Sequence, residues 1–306
     1  MKYILFLTTL YANIAYSQYN LALNLEKNST YHLKINTADR FSWEADGHPM
    51  TGSYNMTGTM NFKVVGVSAT GYELEAAYDS IHFVMKSPMG KFEFNSGNDE
   101  DGSSVMNTMR DKHIKITLLK NGAVSKIENP DTSGFFPMMK NNPMMNGMKQ
   151  MMMMGAFKQS FNKETMKENI EKLTAIFPDK KVNINESWGS VIRPDSGSNN
   201  MAKTSYQLIS YKDGIAVIKG HSETIANSNN SHPHSMGPGM MFPMMMPIYD
   251  VKGESESTIE INTSTGWIKE ATVKNELKGH VQMNEPNKAN KESPVQINGD
   301  IKISSY

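Results

Sequence analysis

Stretches in which apolar and polar residues alternate recur along the chain, and they limit the possible folds more than any other feature. They include Tyr31-Leu33-Ile35, Phe62-Val64, Tyr72-Leu74-Ala76, Ile114-Ile116-Leu118, Ile259-Ile261 and Ile301-Ile303. A period of two places every second side chain on the same face, as in a strand with one buried face. The sequence therefore predicts a mostly β protein of the α+β class.

Turn residues separate several of these stretches. Asn121-Gly122, Asp213-Gly214 and Thr70-Gly71 each lie between two predicted strands. Such dipeptides are typical of hairpin turns, so neighbouring strands should pair antiparallel. We expect a long meander of this kind to bend into a curved antiparallel sheet or half-barrel.

A helical period appears in the middle of the chain. Met166, Ile170, Leu173 and Phe177 recur at spacings of four, three and four residues, and Pro178 follows as a stop signal. These spacings predict an amphipathic helix.

Methionine is unusually abundant, with 26 residues, and two clusters lie at 138–154 and 236–246. Several methionines of the first cluster fall near one helical face. Together with the amphipathic helix, this cluster predicts a Met-rich helical segment over about 135–178 that covers one face of the sheet.

The first 17 residues have the pattern of an export signal. Lys2 precedes the apolar run Ile4 to Leu10, and Ala15 and Ser17 are small residues at the positions that a signal peptidase reads. We expect cleavage near Ser17/Gln18 and a periplasmic or extracellular protein. No later stretch is apolar enough over a sufficient length to predict a membrane span in the mature chain.

Residues 18–306 are predicted to form a single β-rich domain made of two similar halves, about 28–130 and 182–306. The hairpin that begins at Phe62 resembles the one at Tyr206, 144 residues later, and Ile114 matches Ile259 at an offset of 145. Matching offsets indicate duplicated β units joined by the helical segment. A simple meander of similar hairpins remains the alternative.

Three segments carry a resemblance to a known family: 116–129 around the Asn121-Gly122 turn, 177–188 ending at Trp188, and 264–268. In these segments the chain resembles an uncharacterised family of exported Bacteroidetes proteins, known only as a domain of unknown function. The resemblance spans nearly the whole mature chain and implies a fold, but no catalytic residues. Many relatives carry a lipidated cysteine after the signal peptide, whereas this chain has no cysteine.

Composition and motifs exclude several function classes. The absence of cysteine rules out disulfides, thiolate zinc sites and a cysteine nucleophile. Lys+Arg and Asp+Glu both total 31, and no basic block indicates nucleic-acid binding. The chain has neither a His-Glu-x-x-His zinc helix nor a Gly-x-Ser-x-Gly elbow. We therefore expect a protein that is not an enzyme.

The expected function is that of an exported carrier or binding module for an apolar, lipid-like ligand held in a half-barrel groove. Methionine suits a deformable lid over such a groove, because its side chain is unbranched and adaptable. A structural or protein-interaction role in the cell envelope is an alternative.

Soft-metal binding is the alternative that ranks directly after the carrier and ahead of the structural role, because thioether sulfur selects Cu(I) and related ions. The lid hypothesis requires no cofactor, whereas this one requires copper(I) or silver(I). Its candidate ligands are Met144, Met145, Met148, Met151, Met152, His232, His234, Met236, Met240 and Met241.

Overall fold

The computed structural model describes residues 18–45, 47–88, 90–96, 113–128, 163–192, 201–225, 248–283 and 291–306. These ranges hold twelve strands and one helix, α1 (Lys163–Thr174). The strands are β1 (Thr30–Ala45), β2 (His48–Val67), β3 (Gly71–Ser87), β4 (Gly90–Asn95), β5 (Ile114–Leu119), β6 (Val124–Ile127), β7 (Ser187–Ile192), β8 (Met201–Lys212), β9 (Ile215–Ile225), β10 (Ile248–Asn262), β11 (Ile268–Met283) and β12 (Lys291–Ser305).

All twelve strands belong to one antiparallel sheet. Its order is β6-β5-β3-β2-β1-β12-β11-β10-β9-β8-β7, and β4 pairs with the end of β3 beyond β5. The first and last strands therefore meet in the middle of the sheet, and β6 and β7 form its two edges. The predicted antiparallel, mostly β fold is confirmed, as are the three hairpin turns at Thr70-Gly71, Asn121-Gly122 and Asp213-Gly214.

The sheet is strongly curled. The adjacent residues Leu23 and Asn24 donate backbone hydrogen bonds to Lys120 O, just after β5, and to Thr265 O, just after β10. In a flat sheet these strands would lie six positions, or about 29 Å, apart, whereas consecutive α-carbons are only about 3.8 Å apart. α1 likewise packs against both edge strands. Curvature has brought the two sides of the sheet together at this end.

Alternating burial defines two faces of the curled sheet. On β1, Leu33, Ile35 and Phe41 are buried, whereas Lys34 and Arg40 between them are exposed. We call the face that carries the buried residues the inner face. The helix end of the sheet is the end next to α1, and the hairpin end is the one where Ala45 of β1 pairs with His48 of β2.

Part of the predicted organisation lies outside the described residues. This holds for the signal peptide at 1–17 and for the Met-rich segment up to residue 162, so the predicted Met-rich covering is not part of the described structure. α1 confirms a helix within that segment, but its only methionine is Met166. The division into duplicated halves stays a prediction.

Candidate functional site: the inner face of the sheet

The helix end of the inner face is filled by protein side chains. Ile170 and Leu173 of α1 face Phe62 and Leu118, around a cavity of only about 20 Å³. Trp267 closes this space from the β10–β11 turn, with its ring 5.4 Å from that of Phe62. Such a volume holds about one water molecule. Among the described residues, α1 therefore covers a packed core.

Local hydrogen bonds hold this cover in place. Thr174 Oγ1, at the C-terminus of α1, donates to Gly122 O at 2.6 Å and to Ile170 O at 2.9 Å. Trp188 Nε1 of β7 donates to Ile176 O at 3.0 Å. The last residue of α1 is thus bonded to the β5–β6 turn, and the segment after α1 is bonded to β7.

At mid-strand, polar and small side chains replace the apolar ones on the inner face. Successive strand pairings from β2 to β7 align one row of residues: Tyr54, Asp39, Gly299, Asn275, Ser255, Ser222, Thr204 and Ser190. Asp39 and Asn275 are buried, whereas the Ser and Thr side chains of β7 to β10 are half-buried. A row of mostly polar residues therefore runs across the inner face of the sheet, from β2 to β7.

Asp39 is the most unusual member of this row. It is 3% exposed, and neither carboxylate oxygen has a hydrogen-bond partner. Burial, with a smaller contribution from Asp300, raises the pKa of its carboxyl from 3.8 to about 7. Buried carboxyl groups normally have hydrogen-bond or ionic partners.

Two neighbours share this lack of partners. Thr37 Oγ1, two residues before Asp39 on β1, and the hydroxyl of Tyr54, opposite Asp39 on β2, are buried without a hydrogen-bond partner. Burial, followed by the charges of Asp39 and Tyr78, raises the pKa of Tyr54. We call Thr37, Asp39 and Tyr54 the polar cluster.

A much larger cavity, of about 1150 Å³, lies at the hairpin end. Trp43, Gly279 and Val295 contribute to its lining from β1, β11 and β12, and Thr224 from β9. Four carboxylate residues and two lysines also border it: Glu44, Glu223, Asp250, Glu254, Lys252 and Lys278. Its volume exceeds that of most drug-sized ligand pockets.

The cavity is connected to the polar cluster by three neighbouring strands. On each strand, the inner-face residue next to the cavity residue belongs to an apolar row, and the one after that belongs to the polar row. The cavity residues are Trp43, Val295 and Gly279, the apolar row is Phe41, Ile297 and Leu277, and the polar row is Asp39, Gly299 and Asn275. Phe41 and Trp43 stack with their ring centroids 5.6 Å apart. We call this succession of three rows the inner track.

A family model for a family of unknown function, DUF6263, matches residues 69–268. The chain belongs to the DUF6263 family. This confirms the resemblance to a domain of unknown function, and it assigns no activity, because none is known for the family. No curated protein matches this DUF6263 chain.

Solved structures give only distant likenesses to the DUF6263 chain. Lipovitellin, in a structure of its lipid–protein interactions, has a TM-score of 0.47 and 10% identity over 92% of this chain. The match covers 25% of lipovitellin, so this chain spans about a quarter of that protein's length. An outer membrane channel from Pseudomonas putida F1 has a TM-score of 0.34 and 7% identity, over 93% of this chain and 97% of the channel. Scores this low carry no functional argument.

The methionines and histidines predicted to bind soft metals, from Met144 to Met241, all lie outside the described residues. The copper(I) hypothesis for this DUF6263 protein therefore stays a prediction. Within the described ranges, His, Asp and Glu side chains form no group of three that could hold a metal ion. No helix of the described part is long and apolar enough to cross a membrane.

The polar cluster was missed from the DUF6263 sequence, although a signal was present. The alternation that begins at Leu33 and Ile35 continues to Phe41, and it places Thr37 and Asp39 on the buried side. Aspartate is rarely buried in a strand without a partner, so an aspartate on the buried side of the pattern indicates an unusual site. The partners across the sheet, Tyr54 and Gly299, carry no such local signal.

Proposed function

We propose that this protein is a non-catalytic carrier or binding module for an apolar, lipid-like ligand. The observation that carries the proposal is the inner track, in which a cavity of about 1150 Å³ adjoins an apolar row on β1, β12 and β11. Ligand sites typically combine mainly apolar walls with a few polar groups at defined positions. Cavity, apolar row and polar cluster match that description.

Burial of an aliphatic chain would supply the binding energy. Each methylene group removed from water contributes about 0.8 kcal/mol. Phe41, Leu277 and Ile297, the apolar row next to the cavity, are buried. A chain that enters from the cavity would contact their apolar atoms by displacing the groups that cover them. Thr224 and Gly253, which line the cavity, are half-buried small residues.

The test is binding of the neutral apolar fluorophore N-phenylnaphthylamine to delipidated full-length protein. We expect saturable binding with one probe per chain, and native mass spectrometry of untreated protein should detect a co-purified lipid. Thr224→Trp, which places a large side chain in the cavity, should weaken probe binding by about tenfold or more, equivalent to about 1.4 kcal/mol.

Thr272→Trp is the matched control, because Thr272 is exposed on the outer face of β11. This variant should bind the probe as the wild type does. Absence of saturable binding to the wild type, or equal affinity of both Trp variants, would contradict the carrier proposal.

We also propose that the protein works after export, because residues 1–17 have the pattern of a cleaved signal. N-terminal sequencing of the protein from fractionated cells should give a chain that begins at or near Gln18, in the periplasm or the medium. A chain that retains Met1 in the cytosolic fraction would refute this.

A further inference from the structure

The polar cluster presents more hydrogen-bond acceptors than the protein satisfies. Both Asp39 oxygens, Thr37 Oγ1 and the Tyr54 hydroxyl are buried without partners, and the three residues are 3%, 3% and 6% exposed. Leaving a buried polar group unpaired costs about 1 to 3 kcal/mol, and more when the group is charged. Four such atoms on the paired strands β1 and β2 require an explanation.

The protein provides no cation for Asp39 among the residues nearby. Arg40 on β1, Lys302 on β12 and Lys274 on β11 are the closest basic residues along these strands, and all three are exposed on the outer face. The titratable residues that act on the cluster from neighbouring strands are Tyr78 and Asp300, and neither supplies positive charge. Within the described structure, the cluster is therefore acceptor-rich and has no counter-charge.

The balance of charge among the acidic residues and lysines that border the cavity is negative, like the charge of an ionised Asp39. The four carboxylate residues of the cavity outnumber its two lysines. A cationic ligand would be attracted at the cavity and, further inwards, by Asp39. A fatty-acid anion would meet carboxylates at both places.

The spacing suits an elongated molecule. Asp39 and Trp43 are four strand residues apart, which corresponds to about 13 Å. Between them lies Phe41, whose ring stacks on Trp43. Phe41 is buried and does not line the cavity. An aliphatic chain that displaces the groups covering this ring would have one end at the cavity and the other at the carboxyl group.

We propose that Thr37, Asp39 and Tyr54 bind the ammonium head group of an aliphatic amine whose chain lies along the inner track. This rests on the proposed carrier function and specifies its ligand class. The ammonium group has three donors and no acceptor. It would donate to the Asp39 carboxylate and to the two hydroxyl oxygens, and it would supply the missing counter-charge.

The experiment compares three probes with the same chain, dodecylamine, dodecanol and dodecanoate, titrated calorimetrically into delipidated full-length protein at pH 8. We expect dodecylamine to bind about tenfold or more tightly than dodecanoate, with dodecanol between them, because hydrogen bonds to charged groups are worth about 1.5 to 3 kcal/mol. Asp39→Asn should abolish the preference for the amine and leave dodecanol binding within about twofold of wild type.

Tyr54→Phe is the second variant, in case Asp39→Asn does not fold. It removes one hydroxyl without changing the ring and should weaken amine binding by about threefold or more while leaving dodecanol unaffected. Thr272→Val, on the exposed outer face of β11, is the control and should bind all three probes as the wild type does.

Two results would overturn the proposal in distinguishable ways. Equal affinities for the three probes, or an amine preference that survives Asp39→Asn, would refute the head-group site while leaving chain binding intact. Failure of all three probes to bind would refute the carrier function itself.

Discussion

Asp39 Oδ1 lies directly above the α-carbon of Gly299, so close that a β-carbon on residue 299 would be 2.1 Å from it. The two residues are paired across β1 and β12, the first and last strands of the sheet. Asn275 lies on the other side, with Nδ2 3.5 Å from the same β-carbon position. Because residue 299 is glycine, the buried carboxyl group of Asp39 occupies the space that a side chain at this position would fill.

Gly299→Ala should therefore destabilise the protein through Asp39. The added methyl group forces the carboxyl group to move, and overpacking of this kind costs about 1 to 3 kcal/mol. A double-mutant cycle measured by urea unfolding isolates the effect. In an Asp39→Ala background, Gly299→Ala should be neutral or stabilising, because the clash is gone and the unfolded chain is less flexible. Equal costs in both backgrounds would contradict the contact.

Asp39 should also give the protein a distinctive pH dependence. Its pKa is about 7 in the folded protein against an ordinary 3.8. The folded chain therefore holds a proton that the unfolded chain has released, and this contribution to stability is complete below about pH 3.8. It is lost as the pH rises through 7, and it amounts to about 4 kcal/mol.

Asp39→Asn should remove this dependence. Urea unfolding at several pH values between 4 and 8 should show that the wild type loses about 4 kcal/mol relative to the Asn variant. The control is Asp213→Asn in the exposed β8–β9 turn, which should run parallel to the wild type. A constant difference between wild type and Asp39→Asn across this range would exclude a buried, titrating carboxyl group.

Local pattern was sufficient to predict the strands and hairpins. The alternation Tyr31-Leu33-Ile35 became part of β1, and Asn121-Gly122 became the β5–β6 turn, because both depend on side-chain period and backbone preference alone. α1 was also predicted, but it ends at Thr174 and not at Phe177. Thr174 bonds to Gly122 on the sheet, so a tertiary contact determines the helix end.

The polar cluster depends on pairings that no local pattern specifies. Gly299 meets Asp39 only because the last strand closes on the first, and the sequence gives no sign of which two strands will be neighbours in the middle of the sheet. Beneath α1, the described part of the predicted helical segment, Phe62, Leu118 and Trp267 fill the space. Residues from distant segments together fill each part of the core. A local polarity pattern does not show which of them meet there, so it does not predict how full the space is.

The contact between α1 and the β5–β6 turn can be measured with a matched pair of glycines. Gly122 (φ +84) and Gly214 (φ +77) both have a left-handed backbone in a hairpin turn. A β-carbon on Gly122 would lie 1.7 Å from Thr174 O, whereas one on Gly214 meets nothing within 4 Å. Gly214→Ala should cost about 1 kcal/mol from backbone strain alone. Gly122→Ala should cost at least about 2 kcal/mol more in urea unfolding, and equal costs would show that α1 is not packed there.

Asn28 and Asn185 provide a test of the predicted repeat. Both have a left-handed backbone, at φ 70° and 66°, and each donates its backbone N–H to the carbonyl of a fully buried strand residue, Val64 at 2.9 Å and Leu208 at 2.7 Å. Val64 and Leu208 are 144 residues apart, which is the offset of the repeat, and a β-bulge follows each.

If the two halves are equivalent, the same substitutions should have the same effects in both. Asparagine tolerates the left-handed conformation and glycine adopts it freely, whereas alanine pays about 1 to 2 kcal/mol. Urea unfolding should therefore show a loss of about 1 kcal/mol for Asn28→Ala and for Asn185→Ala, and little change for either glycine variant. Asn298→Ala, at an exposed position of β12, should change stability by less than about 0.5 kcal/mol. A cost at only one of the two asparagines would argue that the halves are two similar meanders with different structural requirements.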